Sequence, residues 1–163
     1  MRVRQNRQAE HDLMERIRQN RGHRSEGLHL SGLTDCLRKT RYFLEHPDEI
    51  VETDDQTLTY SMGKGFHNLF ELKSETELNK YGIWYTIDEH EGDRIIDFKT
   101  GRTSSRKGPL ELVIQMDQVG SYCALEEVPE GRLHIVHLVG DYKPMSAKAV
   151  HRCYDLSFED WEL

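Results

Sequence analysis

The sequence predicts a single α+β domain, and three features of its hydrophobic pattern lead to this fold class. Up to about residue 72, apolar residues recur every three or four positions, which is typical of amphipathic helices. From Ile83 to Thr100 they are mainly β-branched and aromatic and are divided by a turn, which indicates two adjacent strands. A further helical segment and two further strands follow within 163 residues, a length typical of one domain.

Three helices are predicted before the first strand. The first covers residues 8 to about 19, and the second begins at Ser31, a favourable N-cap, and ends at His46-Pro47. An acidic loop over residues 48–55 separates it from a third helix over residues 57–72. The apolar residues of the third helix lie on one side, as expected where a helix packs against a core.

The second half of the chain is predicted to alternate between strands and a helix. Turn residues divide it, with Glu91-Gly92 between the first two strands and Pro129 and Gly131 after the helix. Ser157 is placed to cap a final helix. The predicted elements are strands Ile83–His90 and Arg94–Thr100, a polar loop over residues 103–108, a helix over residues 111–126, and strands Leu133–Val139 and Ala147–Leu156 joined by a turn through Gly140 and Pro144.

Charge is distributed unevenly along the chain. The net charge is −7, but residues 1–24 contain seven arginines and three acidic residues and so carry +4, which leaves −11 on the rest. A basic arm of this kind is able to contact phosphates, and a solvated helix with ordinary charge scatter is the other interpretation. An acidic body is compatible with a metal site, because metal sites are themselves built from carboxylates.

No segment of the sequence indicates a membrane span or a secretory signal. There is no run of eighteen apolar residues, and the basic start of the chain is not followed by an apolar stretch. We therefore expect a cytoplasmic protein. The three cysteines, Cys36, Cys123 and Cys153, are far apart and form no Cys-x-x-Cys pair, so neither a zinc site nor a disulfide framework is indicated.

An acidic residue stands two positions before a lysine in three places, and geometry distinguishes them. Glu71–Lys73 falls in a predicted helix, where residues two apart do not face each other. Asp141–Lys143 falls in a turn with no other candidate ligand near it in sequence. Asp97–Lys99 falls on a predicted strand, where a spacing of two puts both side chains on one face.

A second carboxylate joins Asp97 through the predicted hairpin. If Glu91-Gly92 forms a two-residue turn, Asp88 lies opposite Ile95 and points to the same side as Asp97 and Lys99. Asp88 and Asp97 are then diagonal neighbours, roughly 7–8 Å apart at Cα, which is close enough to bridge one cation. The other interpretation is an exposed hairpin that carries two solvated aspartates.

Two converging carboxylates repel each other unless a cation lies between them. A hard, oxygen-preferring ion such as Mg²⁺ or Mn²⁺ suits such a pair, and it would polarise a phosphate oxygen and activate water. Lys99 would orient that water or stabilise charge that develops on the phosphate.

Histidines are candidates for the same site. His67 lies away from the apolar face of its helix, where an ordinary surface histidine is the other interpretation. His134 and His137 are three apart on a predicted strand, so they point to opposite faces and cannot pair as ligands.

Five segments resemble, in order, the motifs of the RecB-like nucleases associated with CRISPR systems. Together they span residues 28–122. They are residues 28–42 (LHLSGLTDCLRKTRY), similar to the S-x-L-x-x-C-x-R-K-x-x-Y pattern; residues 63–67 (GKGFH), similar to G-x-x-x-H; residues 82–88 (GIWYTID), similar to G-I-x-x-T-x-D; the Asp-x-Lys of residues 95–101 (IIDFKTG); and residues 118–122 (QVGSY), similar to Q-x-x-x-Y.

The resemblance implies a restriction-endonuclease-like PD-(D/E)XK fold, in which a central mixed β-sheet is flanked by helices. The single domain, residues 1–163, would then consist of a basic N-terminal helical arm over residues 1–27 and a core over residues 28–163. The resemblance further implies that Mg²⁺ or Mn²⁺ is held by His67, Asp88, Asp97 and the backbone carbonyl of Phe98, and that Lys99 is the catalytic lysine beside Asp88 and Asp97.

DNA contacts are expected from the helix that follows the Asp-x-Lys strand. Its polar residues Glu111, Gln115, Gln118 and Tyr122 fall within an arc of roughly 60°. This arc lies beside the predicted apolar stripe of the same helix, which consists of Leu112, Met116, Val119 and Cys123. Gln118 and Tyr122 would hydrogen-bond phosphates, or Tyr122 would stack on a base, and a solvated helix face is the other interpretation. The expected DNA-binding residues are Gln118, Tyr122, Arg102, Arg38 and Lys39.

The sequence departs from the family pattern in its cysteines. Many members hold an iron–sulfur cluster with one N-terminal cysteine and three near the C-terminus. Cys36 matches the first position, but only Cys153 follows the Q-x-x-x-Y helix, and three thiols cannot form a four-cysteine cluster within one chain. We therefore expect no iron–sulfur cluster, in either a minimal or a truncated member. Asp97 also stands where glutamate is common, a change compatible with activity.

The expected function is metal-dependent hydrolysis of phosphodiester bonds in DNA, as an exonuclease on single strands, in CRISPR adaptation or in recombination and repair. The expected partners are single-stranded DNA or DNA ends, and CRISPR integration or helicase proteins. One alternative is a catalytically silent DNA-binding or assembly module of a larger nuclease or integration complex. Another is the nuclease half of a helicase–nuclease, whose motor would be a separate chain because no Gly-x-x-x-x-Gly-Lys-Ser/Thr sequence occurs.

Overall fold

The computed structural model describes residues 7–20, 25–69, 77–102, 111–138 and 150–159. The helices are α1 (Arg7–Asn20), α2 (Leu30–Asp35), α3 (Leu37–Glu45), α4 (Asp54–Leu69) and α5 (Val113–Glu126), with a 3-10 turn at Pro47–Glu49. The strands are β1 (Leu28–His29), β2 (Glu77–Lys80), β3 (Ile83–Thr86), β4 (Glu89–Glu91), β5 (Arg94–Arg102), β6 (Glu130–Leu138) and β7 (Val150–Ser157).

The strands form two mixed sheets. In the first sheet β3 lies between β1, to which it is parallel, and β2, to which it is antiparallel. The second sheet has the order β4-β5-β6-β7, and only its β5–β6 pair is parallel. Helix α5 lies between β5 and β6 in the chain, as a parallel pair requires, because two parallel strands cannot be joined by a tight turn. The fold is therefore α+β, with mixed β-sheets flanked by helices.

The core lies between α5 and the second sheet. Val119 and Cys123 of α5 and Ile95 and Leu133 of the two parallel strands are all 0% exposed. Val119 and Cys123 are four residues apart and so share one face of the helix. Their burial confirms the apolar stripe that the sequence predicts for this helix.

Gly131, near the start of β6, lies directly against α5. A Cβ atom at this position would lie 2.5 Å from Cγ1 of Val119 and 3.3 Å from Sγ of Cys123. We expect Gly131→Ala to lower the free energy of unfolding by about 1–3 kcal/mol, because a close-packed core cannot absorb an added methyl group without strain. Urea denaturation of the two proteins measures the difference.

Gly65 provides the matched control for this substitution. It lies on α4, and a Cβ atom there would have nothing within 4 Å. Gly65→Ala should leave stability unchanged or raise it by up to about 1 kcal/mol, because alanine is the better helix former. A Gly131→Ala protein as stable as the wild type would contradict the close packing described here.

The helices agree with the sequence-based predictions except at the second one. α1, α4 and α5 are confirmed, but the predicted second helix is interrupted at Cys36, whose backbone is extended (φ −152°, ψ 106°). Ser31 lies inside α2, and the N-cap is His29. The hydroxyl of Thr40 donates a hydrogen bond to the carbonyl oxygen of Gly32 at 2.7 Å. This bond links α3 to α2 across the interruption at Cys36. Among the described helices, none is both long and apolar enough to cross a membrane.

The predicted strand Ile83–His90 is in fact two strands that belong to different sheets. β3 ends at Thr86 and pairs with β1 and β2, whereas β4 begins at Glu89 and pairs with β5. The sequence analysis missed β1, which has only two residues, and β2, whose sequence ELNK is largely polar. Short or polar strands give no alternating hydrophobic signal.

The last two predicted strands are confirmed as an antiparallel pair with shifted ends. β6 begins at Glu130, three residues earlier than predicted, and Ser157 ends β7 instead of capping a helix. Several predictions fall outside the described residues: the loop over residues 103–108, the turn through Gly140 and Pro144, the start of the last strand at Ala147, the end of the third helix at residues 70–72, and any helix over residues 160–163.

Candidate active site

Strand β5 carries an aspartate and a lysine on the face that packs against α5. Asp97 pairs in register with Leu133, and Lys99 pairs with Ile135, and both partners are buried. Alternate residues of a strand share a face, so Asp97 lies on the same face as the buried Ile95. Asp97 is itself only 2% exposed. The ammonium of Lys99 donates a hydrogen bond to Oδ1 of Asp97 at 2.9 Å. The prediction that these two side chains share a face is confirmed.

Asp88 lies immediately before β4 and reaches β5 through its carboxylate. Its Oδ2 accepts a hydrogen bond from the backbone N–H of Phe98 at 2.7 Å. The hairpin that joins β4 to β5 pairs Glu91 with Arg94, so the turn is Gly92-Asp93 and the predicted turn at Glu91-Gly92 is wrong. Gly92 has a positive φ of 61°, a conformation that the first central position of a tight hairpin turn requires.

Asp88 points to the predicted side of the hairpin, although the turn lies one position later than predicted. The register moves by two residues, and side chains alternate between faces with a period of two. Extending the observed pairing by one residue places Asp88 directly opposite Asp97, instead of the predicted diagonal position. The two carboxylates are therefore neighbours, as the site requires.

His67, near the C-terminal end of α4, lies against the same part of β5. Its Nε2 is 3.2 Å from the carbonyl oxygen of Phe98, and its Nδ1 is 3.5 Å from Oδ1 of Asp88. Neither contact is local, because α4 and β5 are separated in the chain by β2, β3 and β4. The structure thus brings into one network all of the residues predicted for metal binding and catalysis, namely His67, Asp88, Asp97, Phe98 and Lys99.

Negative charge in this network is only partly compensated. Oδ2 of Asp97 is buried and has no hydrogen-bond partner within the described part of the chain. Burial, followed by the negative charge of Asp97, raises the pKa of Asp88 from its ordinary value of 3.8 to about 6. The N–H of Phe98 and the positive charges of His67 and Lys99 act in the opposite direction without cancelling this shift. A cation between the two carboxylates would give the buried oxygen of Asp97 a partner and would lower the pKa of Asp88.

The donor atoms suit a hard divalent cation in kind, although they are not assembled around one point. The network contains two carboxylates, a backbone carbonyl and an imidazole, and oxygen-rich sets of this type favour Mg²⁺ or Mn²⁺. Among the described residues, no three His, Cys, Asp or Glu side chains already form a group that could hold a metal ion. Nδ1 of His67 and Oδ1 of Asp88 contact each other at 3.5 Å.

Gln118 and Tyr122 lie on α5, but they are bonded to each other. Nε2 of Gln118 donates a hydrogen bond to the hydroxyl of Tyr122 at 2.8 Å. The ring of Tyr122 is buried, with its centre 6.2 Å from that of Tyr85. The prediction that Tyr122 stacks on a base is therefore wrong for this conformation, because a base cannot reach a ring inside the core. The half-buried Gln118 is the more accessible of the two residues.

The three basic residues expected to contact DNA differ in position. Arg38 and Lys39 are exposed on α3, and Lys39 forms an ion pair with Asp35 at 3.2 Å. Arg102 is the last residue of β5, and its side chain lies outside the described residues. Arg38 and Lys39 therefore belong to the helix that packs against α2, not to the strand that carries Asp97.

The second sheet carries a cluster of His134, His151 and Cys153 that the sequence pattern did not predict. Nδ1 of His134 is 2.9 Å from Nε2 of His151, and Nε2 of His134 is 3.9 Å from Sγ of Cys153. His134 and His137 point to opposite faces of β6, as their spacing predicts: His137 is 4% exposed, whereas His134 is half-buried. The sequence signal for the cluster is the His-Arg-Cys triplet of residues 151–153, because residues two apart on a strand share a face.

Comparison with known proteins supports the fold alone. No model of a protein family matches the sequence, and no curated protein matches it at a significant level. The chain is similar to the crystal structure of SSO0001, with a TM-score of 0.58 at 20% sequence identity over 92% of this chain and 78% of SSO0001. This likeness shows that the α+β arrangement also occurs in a solved structure.

Proposed function

We propose that this chain is a Mg²⁺- or Mn²⁺-dependent deoxyribonuclease with a restriction-endonuclease-like core, which acts as an exonuclease on single-stranded DNA. The observation that carries the proposal is the buried carboxylate of Asp97, one oxygen of which has no hydrogen-bond partner in the described residues, beside Asp88 and Lys99. A buried charged oxygen without a partner costs free energy, and groups of this kind are concentrated at functional sites. The five motifs support the choice of DNA hydrolysis and of CRISPR adaptation or recombination as its setting.

The metal ion would be held by the carboxylates of Asp88 and Asp97, the carbonyl of Phe98 and the imidazole of His67. A bound divalent ion supplies positive charge to the scissile phosphate and makes a water molecule more acidic. Strand β5 supplies Asp97 and Phe98, and helix α4 supplies His67, so three of the four donors lie on regular elements, which hold geometry more precisely than loops do.

Lys99 would act on the phosphate directly. Its side chain is 31% exposed, so the ammonium is accessible from solvent while it remains bonded to Asp97. A positive charge held at this position stabilises the negative charge that grows on the phosphate oxygens as the bond to the attacking oxygen forms. The contact with Asp97 fixes the direction of the ammonium before DNA arrives.

A silent DNA-binding module is the second candidate function, and one observation favours it. Among the residues that the structure describes, no three His, Cys, Asp or Glu side chains form a group that could hold a metal ion, so the donors are not preassembled for one. In such a module the network would serve only to fix α4 against the β4–β5 hairpin.

The test is cleavage of end-labelled single- and double-stranded DNA in Mn²⁺, in Mg²⁺ or in EDTA, with Asp88→Asn as the disabled variant. Asp155→Asn is the matched control, because Asp155 is an exposed aspartate of β7 that pairs with Arg132. We expect cleavage of single strands that requires the metal, is lost in Asp88→Asn and is retained in Asp155→Asn. Salt-sensitive DNA binding without cleavage would favour the silent module. If the protein neither cleaves nor binds DNA, Asp88 and Asp97 have only a structural role.

A further inference from the structure

Helix α4 exposes a stripe of apolar residues to solvent. Leu58, Met62 and Leu69 are 41%, 66% and 76% exposed, and Gly65 lies between the last two in the sequence. The spacings of four, three and four residues place all four within an arc of roughly 60° around the helix axis. These four residues form the α4 stripe. Large apolar side chains that follow a helical period and remain exposed are typical of a surface that another protein covers.

The α4 stripe lies on the side of the helix that faces away from strand β5. His67 of the same helix is directed towards β5, with its Nε2 at 3.2 Å from the carbonyl oxygen of Phe98. At 100° per residue, His67 lies roughly 140–160° around the helix axis from Met62 and Leu69. A molecule bound on the stripe therefore does not occupy the carboxylate network, and its binding does not depend on the proposed nuclease function.

The spacing of the α4 stripe is that of a helix that packs against another helix. Alternating steps of three and four residues correspond to the a and d positions of a heptad repeat, with Met62 and Leu69 at a and Leu58 and Gly65 at d. When two identical helices pack antiparallel, an a residue of one lies beside a d residue of the other. The register centred on the stripe then places Met62 beside Gly65 of the second copy, and Leu58 beside Leu69 of the second copy.

Gly65 leaves the space that this register requires. A Cβ atom built at Gly65 would have no atom of another described element within 4 Å. Methionine is unbranched and flexible, so Met62 of a second copy is able to fill that space. A two-fold axis makes the same contact twice, which is the self-complementarity that a symmetric dimer needs.

The charges along α4 favour a second copy over a nucleic acid as the molecule that covers the stripe. None of the four stripe residues is charged, and the first turn of the helix carries Asp54 and Asp55, which repel phosphates. A parallel pair of helices would bring the two acidic ends together, whereas an antiparallel pair separates them by roughly 25–30 Å. Charge therefore favours the antiparallel arrangement.

We propose that two copies of this chain associate through the α4 stripe, as an antiparallel pair of α4 helices related by a two-fold axis. The helix has 16 residues and is about 24 Å long, so the contact buries less than the area of about 800 Å² per partner that is usual in stable complexes. The dimer is accordingly weak, with an expected Kd on the order of 10–100 µM.

Sedimentation velocity at a series of concentrations up to about 500 µM measures this association. We expect the wild type to change from monomer to dimer within the series. Met62→Lys should raise the Kd by at least about tenfold, because it places an ammonium at the centre of an apolar contact. Val113→Lys is the matched control, because Val113 is an apolar residue of another helix, α5, and is 55% exposed. It should dimerise like the wild type, and circular dichroism shows whether both variants are folded.

Cross-linking tests the register and the direction of the two helices. The background carries Cys36→Ser and Cys153→Ser, which remove the two exposed cysteines. In this background, a short bifunctional thiol reagent should join the double variant Leu58→Cys/Leu69→Cys into covalent dimers, because positions 58 and 69 of different copies lie side by side. Leu58→Cys alone should remain uncoupled, because its two copies are more than about 15 Å apart in the antiparallel pair.

A chain that stays monomeric up to about 500 µM would overturn the proposal and leave the α4 stripe to a different protein. The same conclusion follows if Met62→Lys dimerises as tightly as the wild type, or if Val113→Lys loses the dimer. Covalent dimers of Leu58→Cys alone would show a parallel pair and contradict the antiparallel arrangement. A double variant that dimerises in solution but gives no covalent dimers would contradict the register.

Discussion

Replacing Lys99 with alanine is expected to lower the rate of metal-dependent DNA cleavage by about 10²–10³-fold, while the affinity for DNA falls much less. The proposed reaction places the ammonium where negative charge would develop, and loss of one such group costs about this much in known enzymes. Rates under single-turnover conditions measure the chemical step, and binding to uncut DNA in EDTA measures affinity. Circular dichroism shows whether the variant is folded.

Lys80→Ala is the matched control for this substitution. Lys80 is also a strand lysine, it is 33% exposed compared with 31% for Lys99, and it also bonds an acidic residue, Glu127. Its partner is on the surface, however, and it lies on β2 of the other sheet. Cleavage by Lys80→Ala should equal that of the wild type. Equal cleavage by a folded Lys99→Ala protein would remove this lysine from the reaction.

Replacing Asp88 with asparagine is expected to stabilise the metal-free protein, although it disables the site. The carboxylate of Asp88 lies beside that of Asp97, and the amide removes one charge while it keeps an oxygen to accept the N–H of Phe98. A shift of the pKa from 3.8 to about 6 corresponds to up to about 3 kcal/mol of unfavourable free energy in the folded state. We expect a rise in Tm on the order of 5 °C at pH 7.5 in EDTA.

The pH dependence of this gain has a definite sign. The folded-state pKa of Asp88 is raised, so its contribution to stability is complete below about pH 4 and is lost as the pH rises through about 6. The difference in Tm between Asp88→Asn and the wild type should therefore be small near pH 4.5 and should grow to its full size by pH 7. Thermal unfolding at a series of pH values in EDTA measures it.

Addition of Mn²⁺ should reverse the order of stability. In the proposed site the ion would bind both carboxylates of the folded wild type and raise its Tm with concentration, whereas Asp88→Asn would have lost one ligand and should respond weakly. Asp155→Asn again serves as the control, because the guanidinium of Arg132 lowers the pKa of Asp155 and its replacement should bring no gain. A wild-type Tm that is independent of Mn²⁺ would argue against a metal site in this network.

The local hydrophobic pattern of the sequence predicted most of the helices and strands. It did not predict contacts between segments that are distant in the chain. The helical period was sufficient for α1, α4 and α5, because each buries one stripe of side chains. The period could not reveal that Cys36 interrupts the second helix, because the break depends on how α3 folds back to place Thr40 against Gly32. Nor could it place Leu28–His29 beside β3, since two residues carry no period.

The candidate site shows the same division. The spacing of Asp97 and Lys99 on a strand was enough to put them on one face. The turn lies one position later than predicted, which changes the pairing register by two residues and therefore leaves Asp88 on the predicted face. The approach of His67 was predicted only by resemblance, since it depends on the packing of α4 against β5. The burial of Tyr122 was not predicted, because a tyrosine at the border of an apolar stripe can turn to either side.

The side chains of the His67–Asp88–Asp97–Lys99 network lie at different depths below the surface, so an entering ligand would meet them in a fixed order. Exposure of the side chains falls from 31% for Lys99 to 19% for His67, 8% for Asp88 and 2% for Asp97. A polyanion that approaches from solvent meets the ammonium before it meets either carboxylate, so its first encounter is attractive. Asp97, at the bottom of the network, is almost completely shielded from solvent. In the proposed nuclease, the polymer would therefore stay at the rim beside Lys99, and the cation would be the ligand that reaches the carboxylates.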